Sequence, residues 1–267
     1  MAPLPIQERH ILKVAFGVAA GIFAFLFTGL SCAQAEIIRL GTLNTVERFF
    51  EEQPSAVGEV VRVALAREGH ELELLYLPRM RSLSQANRGV LDGDLARTID
   101  VSSLAENLVK VPTPLCHTSY YLYAPVHSTT TNHWADFQNP KPVMLSDMLV
   151  ATELWPESLL SFEPLKLPDT SQALRAIEKG QANILLLPEG ILEILTSNKP
   201  TIQFIKLHPV IAHRDAFLWL HKRHAVLAEK LGQHIQNIKQ SLFDSGRVTD
   251  VHFTCGTLMT LAKSMPQ

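Results

Sequence analysis

The sequence predicts a two-lobed α/β protein whose sheets are mixed but mostly parallel and flanked by helices. Three observations carry this. Short apolar strands alternate with amphipathic helices from residue 36 onward. One helix–glycine–strand joint occurs twice, 91 residues apart. The first 35 residues read as a separate leader.

In the leader, Arg9, His10 and Lys13 form a short basic start. The apolar run VAFGVAAGIFAFLFTGL follows from Val14 to Leu30, and Ala33-Gln34-Ala35 closes it with small-x-small spacing. This is the pattern of a secretory signal peptide over residues 1–35, cleaved after Ala35. The run is somewhat long for a leader and somewhat short for a spanning helix, so an uncut anchor is the alternative reading. Cys32 raises a lipoprotein reading, but Leu30 stands two residues before it rather than three. Cleavage leaves Glu36–Gln267, ample for two lobes of about 100 residues each.

The mature chain opens on a strand at Ile37-Ile38-Arg39-Leu40-Gly41. Val57, Val60, Val61, Ala64 and Leu65 then recur at helical spacing, with Gly69 as a stop. Leu72, Leu74, Leu75 and Leu77 form a second strand; Met80, Leu83 and Ala86 mark a helix ending at Gly89. Asp92-Gly93 turns the chain into a strand ending Leu95-Ala96-Arg97. Tyr120–Ala124 and Lys141–Leu145 are further strands, separated by the loop-like stretch His127–Pro142. Asp169 or Thr170 caps a helix carrying Ala173, Leu174 and Ile177. Gly180 ends it, before the apolar strand Ile184–Leu187. Glu189–Ser197 reads as helix, Ile202–Leu207 as extended and Ala216–Leu220 as a strand. Leu227, Leu231, Ile235, Ile238 and Leu242 mark a long last helix stopping near Gly246. In the duplicated joint, Leu83, Ala86, Gly89 and Asp92 match Leu174, Ile177, Gly180 and Asn183, and a cation, Arg88 or Lys179, precedes each glycine. Such a joint is a helix capped by a left-handed glycine that drops into a buried strand.

A formal charge of -2 gives no electrostatic reason to expect nucleic acid. Two cysteines remain after cleavage, Cys116 and Cys255. An oxidising compartment permits a disulfide between them, and two buried thiols are the equal alternative. A bridge over so long a loop contributes about 4–5 kcal/mol in the chain-entropy view.

Four stretches in this order resemble the bacterial extracellular solute-binding proteins of family 3, with the type 2 periplasmic-binding fold. They are IIRLGT, LPRMRSLSQANRGVLDGDLAR, LPDTSQALRAIEKGQANILLLPEG and FLWLHKRHAVLAEKLGQHIQNIKQSLFDSG. The likeness spans most of residues 36–246 and is greater to the uncharacterised branch than to the well-studied amino-acid receptors. It implies a first lobe of residues 36–119 and 216–267, a second of residues 120–215, and a two-strand hinge. It implies a monomeric protein in the periplasm that closes on a small ligand such as an amino acid or organic acid. An inner-membrane permease of ABC type, or a sensor, would be its partner.

The resemblance also implies an arginine in the first lobe for a ligand carboxylate, a pairing suited to two parallel hydrogen bonds. Arg97, at a strand end, is the leading candidate; Arg79 and Arg81 open a helix and are weaker. An ordinary surface arginine is the competing role for each. Related receptors place an acid after the second-lobe strand, where this chain has Pro188 and then Glu189. That departure puts a standard amino-acid ligand in doubt; Glu189 either takes the role or merely opens a helix. Thr42, Asn44 and Thr45 follow the first strand and suit a cleft mouth or a cap. Tyr76 offers a stacking surface or a core aromatic, Tyr120 and Tyr121 a hinge or packing role, and Asp215 a place at the return crossing.

Catalytic signatures are lacking: there is no G-x-S-x-G, H-E-x-x-H, glycine-rich phosphate loop or C-x-x-C. His221 and His224 flank Lys222-Arg223, whose charges oppose a metal; His252 and Cys255 are only two ligands. Neither catalysis, a metal nor a cofactor is expected.

Overall fold

The computed structural model describes residues 35–43, 56–145, 153–159, 161–192, 202–248 and 254–255. The leader up to Gln34, together with Asn44, Thr45, most of the helix expected over 189–197, and His252, lies outside the described residues.

Among the described residues, nine strands form one continuous sheet path in the order β2-β1-β3-β9-β5-β8-β6-β7, with β4 added on β9. At one end, β1 (Glu36–Leu43) lies between β2 (His70–Leu77) and β3 (Gly93–Arg97), parallel to both. At the other, β6 (Pro142–Leu145) lies between β7 (Leu165–Leu167) and β8 (Ile184–Pro188), again parallel to both. The two ends are joined by an antiparallel pair, β5 (Cys116–Pro125) and β9 (Phe204–His221). Short β4 (Leu108–Lys110) runs antiparallel to β9.

Four helices are described: α1 (Ala56–Ala66), α2 (Arg79–Asn87), α3 (Thr170–Glu178) and α4 (Ala225–Asp244). Their periodic apolar residues explain their placement. Val60, Val61, Ala64 and Leu65 of α1 meet Leu231, Ile235 and Ile238 of α4 over Ile38 and Leu40 of β1. Leu83 and Ala86 of α2 pack with Leu91, Val101 and Trp219 in a smaller cluster. Ala173, Ala176 and Ile177 of α3 share a second large core with Leu122, Val143 and Ile184–Leu187. The core changes identity along both joining strands. Cys116 and Ala216 belong to the first core, Tyr120 and Leu207 to the second. Asp169 supplies the cap of α3, its carboxylate accepting the Gln172 N–H at 2.8 Å.

One expectation is corrected. Phe204–Leu207 of the stretch expected as extended and the expected strand Ala216–Leu220 are not separate but belong to the single 18-residue β9. Strand β5 is the template: its register runs from Cys116↔Ala216 to Tyr120↔Ala212, then resumes at Leu122↔Leu207. Residues 208–211 bulge there, around a cis His208–Pro209 bond. Proline has no N–H for the ladder, so its place at a bulge is physically consistent. Trp134 Nε1 donates to the Pro209 carbonyl at 3.1 Å, fastening the bulge to the 127–142 loop.

Candidate functional site

A cavity of about 940 Å³, open solvent at its mouth included, lies where the two cores meet at the joining strands. The first core's wall is Thr42 at the end of β1, Arg79 and Ser82 in the first turn of α2, and Asp94–Thr98 along and just past β3. Cys116, Thr118 and Tyr120 alternate along β5, so all three present the same face. Pro188, Glu189 and Ile191 come from the end of β8 and the turn after it, on the second core's side. This position, at strand ends in an open α/β sheet, is where such folds hold ligands.

A β-bulge shapes the first wall. Asp94 pairs with Trp219 and Arg97 with Phe217, so three steps on β3 match two on β9. Ala96 takes up the extra residue at φ 61°, a left-handed conformation unusual for alanine. In a regular strand, residues three apart face opposite sides. The bulge restores Asp94 and Arg97 to one side, and their side chains join. Arg97 Nε donates to Asp94 Oδ1 at 2.8 Å and Nη2 to Oδ2 at 2.7 Å. Nη2 also donates to the Arg79 carbonyl at 2.5 Å. Both side chains are buried. Ser82 Oγ completes the set, donating to Asp94 Oδ2 at 2.7 Å. Gly41 makes room for it: a Cβ there would stand 1.9 Å from Ser82 Oγ.

The two-pronged partner expected for Arg97 is therefore Asp94, inside the protein. Arg97 still lines the cavity, but two of its three guanidinium nitrogens are committed. Glu189 is likewise matched: Lys206 Nζ lies 2.7 Å from its Oε1 and 4.5 Å from the centre of the Tyr121 ring. The Glu189 N–H donates to the Ser119 carbonyl at 2.8 Å, fixing the acid beside β5.

Between the walls, the Tyr120 hydroxyl meets Thr98 Oγ1 at 2.8 Å. Burial pushes the Tyr120 phenol above its ordinary range, although the Thr98 bond, Arg79 and Arg214 oppose this. Tyr120 is thus a neutral hydroxyl at physiological pH. Cys116 and Cys255 are joined in a disulfide, Cα–Cα 5.1 Å, and both line the cavity. His117 bridges to Thr254 beside it, so the described tail residues sit against β5. His117 Nδ1 is 2.9 Å from Asp215 Oδ1, across the joining pair.

Of the residues singled out by sequence, Thr42, Arg79, Arg97 and Glu189 come together here. Arg81 is exposed on α2, and Tyr76 is half-buried on edge strand β2; neither lines the cavity. Sequence reading missed Ser82, Asp94, Thr98 and Thr118. Period-two alternation places Asp94 and Arg97 on opposite faces, and nothing in GDLAR announces the bulge. Among the described residues, no group of His, Cys, Asp and Glu is placed to hold a metal. His224 lies against Asp92, and His221 accepts the Arg223 N–H.

No protein-family model matches the chain. An uncharacterised protein of Shewanella oneidensis is 24% identical over 242 residues, covering 83% of this chain and 89% of that one. Among solved structures, a histidine kinase sensor domain with similarity to periplasmic binding proteins superposes with TM-score 0.62 at 14% identity, covering 82% of this chain and 95% of that one. An ABC uptake transporter substrate-binding protein from Streptococcus pneumoniae with bound histidine gives 0.63 at 11%, covering 80% and 90%. An amino acid ABC transporter substrate-binding protein from the same species, bound to L-arginine, gives 0.61 at 15%, covering 84% and 96%. These likenesses show the fold: a two-lobe, type 2 periplasmic-binding architecture. Among the described residues no helix is long and apolar enough to cross a membrane.

Proposed function

We propose that this chain is an exported, monomeric binding protein that captures a small polar solute, amino-acid-like or an organic acid, in the periplasm. Residues 36–119 with 216–267 form one lobe and residues 120–215 the other; β5 and β9 are the hinge. The supporting observation is a cavity walled from both cores, with arginines on one side and a carboxylate on the other. A ligand that touches both walls binds the closed arrangement best and so draws the lobes together. An ABC-type permease would receive the solute. The likeness to a kinase sensor domain supports a second reading, delivery of the bound state to a membrane signalling partner. Neither needs chemistry on the ligand.

A melting screen with amino acids, short peptides and organic acids tests this. A solute present at about 100 times its Kd raises Tm by about 5–10 °C. Arg79→Met abolishes that gain, and the solute is recovered unaltered. A gain that survives both Arg79→Met and Glu189→Gln removes the assigned site.

A further inference from the structure

We infer that the Cys116–Cys255 disulfide is a redox-sensitive wall of the binding cavity: opening it weakens solute binding, and bound solute makes it harder to open. This rests on the binding-protein reading above and adds a regulation to it. Both cysteines line the cavity, Cys116 from the same face of β5 as Thr118 and Tyr120. Cys116 is also the first residue of β5, a strand that joins the two cores. Cys255 belongs to the tail, 139 residues further on, and packs against the first core. The bond therefore brings a distant segment into the cavity wall and fastens it to a joining strand. The His117↔Thr254 bridge lies beside it.

A wall segment held by non-covalent contacts alone must be ordered whenever a solute is enclosed, and that ordering opposes binding. The covalent tie orders the tail beforehand. By linkage, whatever factor the bond adds to solute affinity, the solute adds to the bond's resistance to reduction. Cys116 is buried, whereas Cys255 is partly exposed and open to attack. A dithiol supplies the chemistry. Its thiolate attacks the Cys255 sulfur to form a mixed disulfide, and Cys116 leaves as a thiolate. The reductant's second thiolate then displaces Cys255. Two electrons and two protons pass to the protein, and the reductant departs as its own disulfide.

The test compares three forms: oxidised, dithiothreitol-reduced, and a Cys116→Ser/Cys255→Ser double variant. Each is titrated by calorimetry with the amino acids, short peptides and organic acids of the melting screen, at a temperature where circular dichroism shows it folded. A solute bound by the oxidised chain binds the other two forms at least tenfold more weakly, about what releasing one apolar wall contact costs. A redox titration of the unaltered chain against dithiothreitol, read by thiol mass-tagging, needs no variant. Saturating solute moves its potential about 30 mV more negative for each tenfold of affinity. Equal or tighter binding by the reduced chain, or a potential unmoved by the solute, overturns the inference and leaves the binding-protein reading standing. If no solute binds any form, both fail.

Discussion

The joint at residues 83–94 and the joint at residues 174–185 are the same piece of backbone put to two uses. After α2, Gly89 at φ 72° donates to Ala86, and Val90 and Leu91 both donate to Gln85. After α3, Gly180 at φ 68° donates to Ile177, and Gln181 and Ala182 both donate to Ala176. The Asp92 N–H donates to the Arg39 carbonyl and the Arg39 N–H returns to the Asp92 carboxylate at 2.8 Å. Asn183 and Lys141 repeat that exchange, at 2.9 and 2.6 Å. Each joint then feeds a strand parallel to its partner, Leu40↔Gly93 in one and Pro142↔Ile184 in the other.

The difference lies in what hangs on the frame. The first joint is charged: Asp92 also receives Arg223 and lies 2.7 Å from His224 Nε2, and two residues on stands Asp94 with its arginine. The second is neutral at Asn183 and apolar at Leu185. One frame thus carries a polar cavity wall, the other a packed core strand. Glycine-capped geometry is set by local backbone chemistry; the side chains that follow it are free to diverge.

The comparison can be broken most severely at the buried ion pair. Arg97→Met strands a buried Asp94 carboxylate and costs about 3–5 kcal/mol in urea unfolding. Adding Asp94→Leu, which copies Leu185 of the other joint, restores most of that stability. Should the double variant be no better than the single, burial of the lone charge is not the cause.

Gly93 comes next. A Cβ there would stand 2.3 Å from the Trp219 carbonyl oxygen, a backbone atom that cannot swing aside. Gly93→Ala therefore costs about 2–3 kcal/mol by the same measurement, whereas the matching position of the other joint already holds a buried isoleucine.

Asp92→Asn makes the first joint like the second and costs about 1–2 kcal/mol at neutral pH, from lost charge-assisted hydrogen bonds. Burial alone would raise the Asp92 carboxyl. Hydrogen bonds from the Arg39 N–H, Arg223 and His224 outweigh burial and hold it below the ordinary carboxylate range. Its contribution is complete above the unfolded-state value near 4 and fades as pH falls through the lower folded value. The parent loses stability through that acid range and the variant loses less; parallel acid-unfolding curves would contradict the assignment. The smallest effect is expected at the bulge. Ala96→Gly relieves a left-handed alanine and stabilises by about 1 kcal/mol in urea, where the straight strand β8 has no residue to relieve.

Much of the frame was legible from residue patterns. Helix α4 was visible because five apolar residues keep helical spacing, and both joints because glycine ends each helix three residues before Asp92 or Asn183. Strands β4 and β7, three residues each, are too short to leave a period. The site was legible only as residue types near strand ends. Arg97 and Glu189 do line the cavity, yet their partners Asp94 and Lys206 follow no local rule.

The sequence by itself determined the alternation of strands and helices, the duplicated joints and which faces are apolar, because these follow from side-chain period and backbone preference over a few residues. Tertiary structure alone decided three things: that β9 runs unbroken beside β5, that Cys116 and Cys255 meet across 139 residues, and that Asp94 and Glu189, the two acids among the described cavity residues, are each matched by a cation. The first two are contacts between residues distant in sequence. The third hangs on a one-residue bulge and on a lysine that reaches Glu189 from the far side of β5, and a single added residue reverses every facing that periodicity assigns.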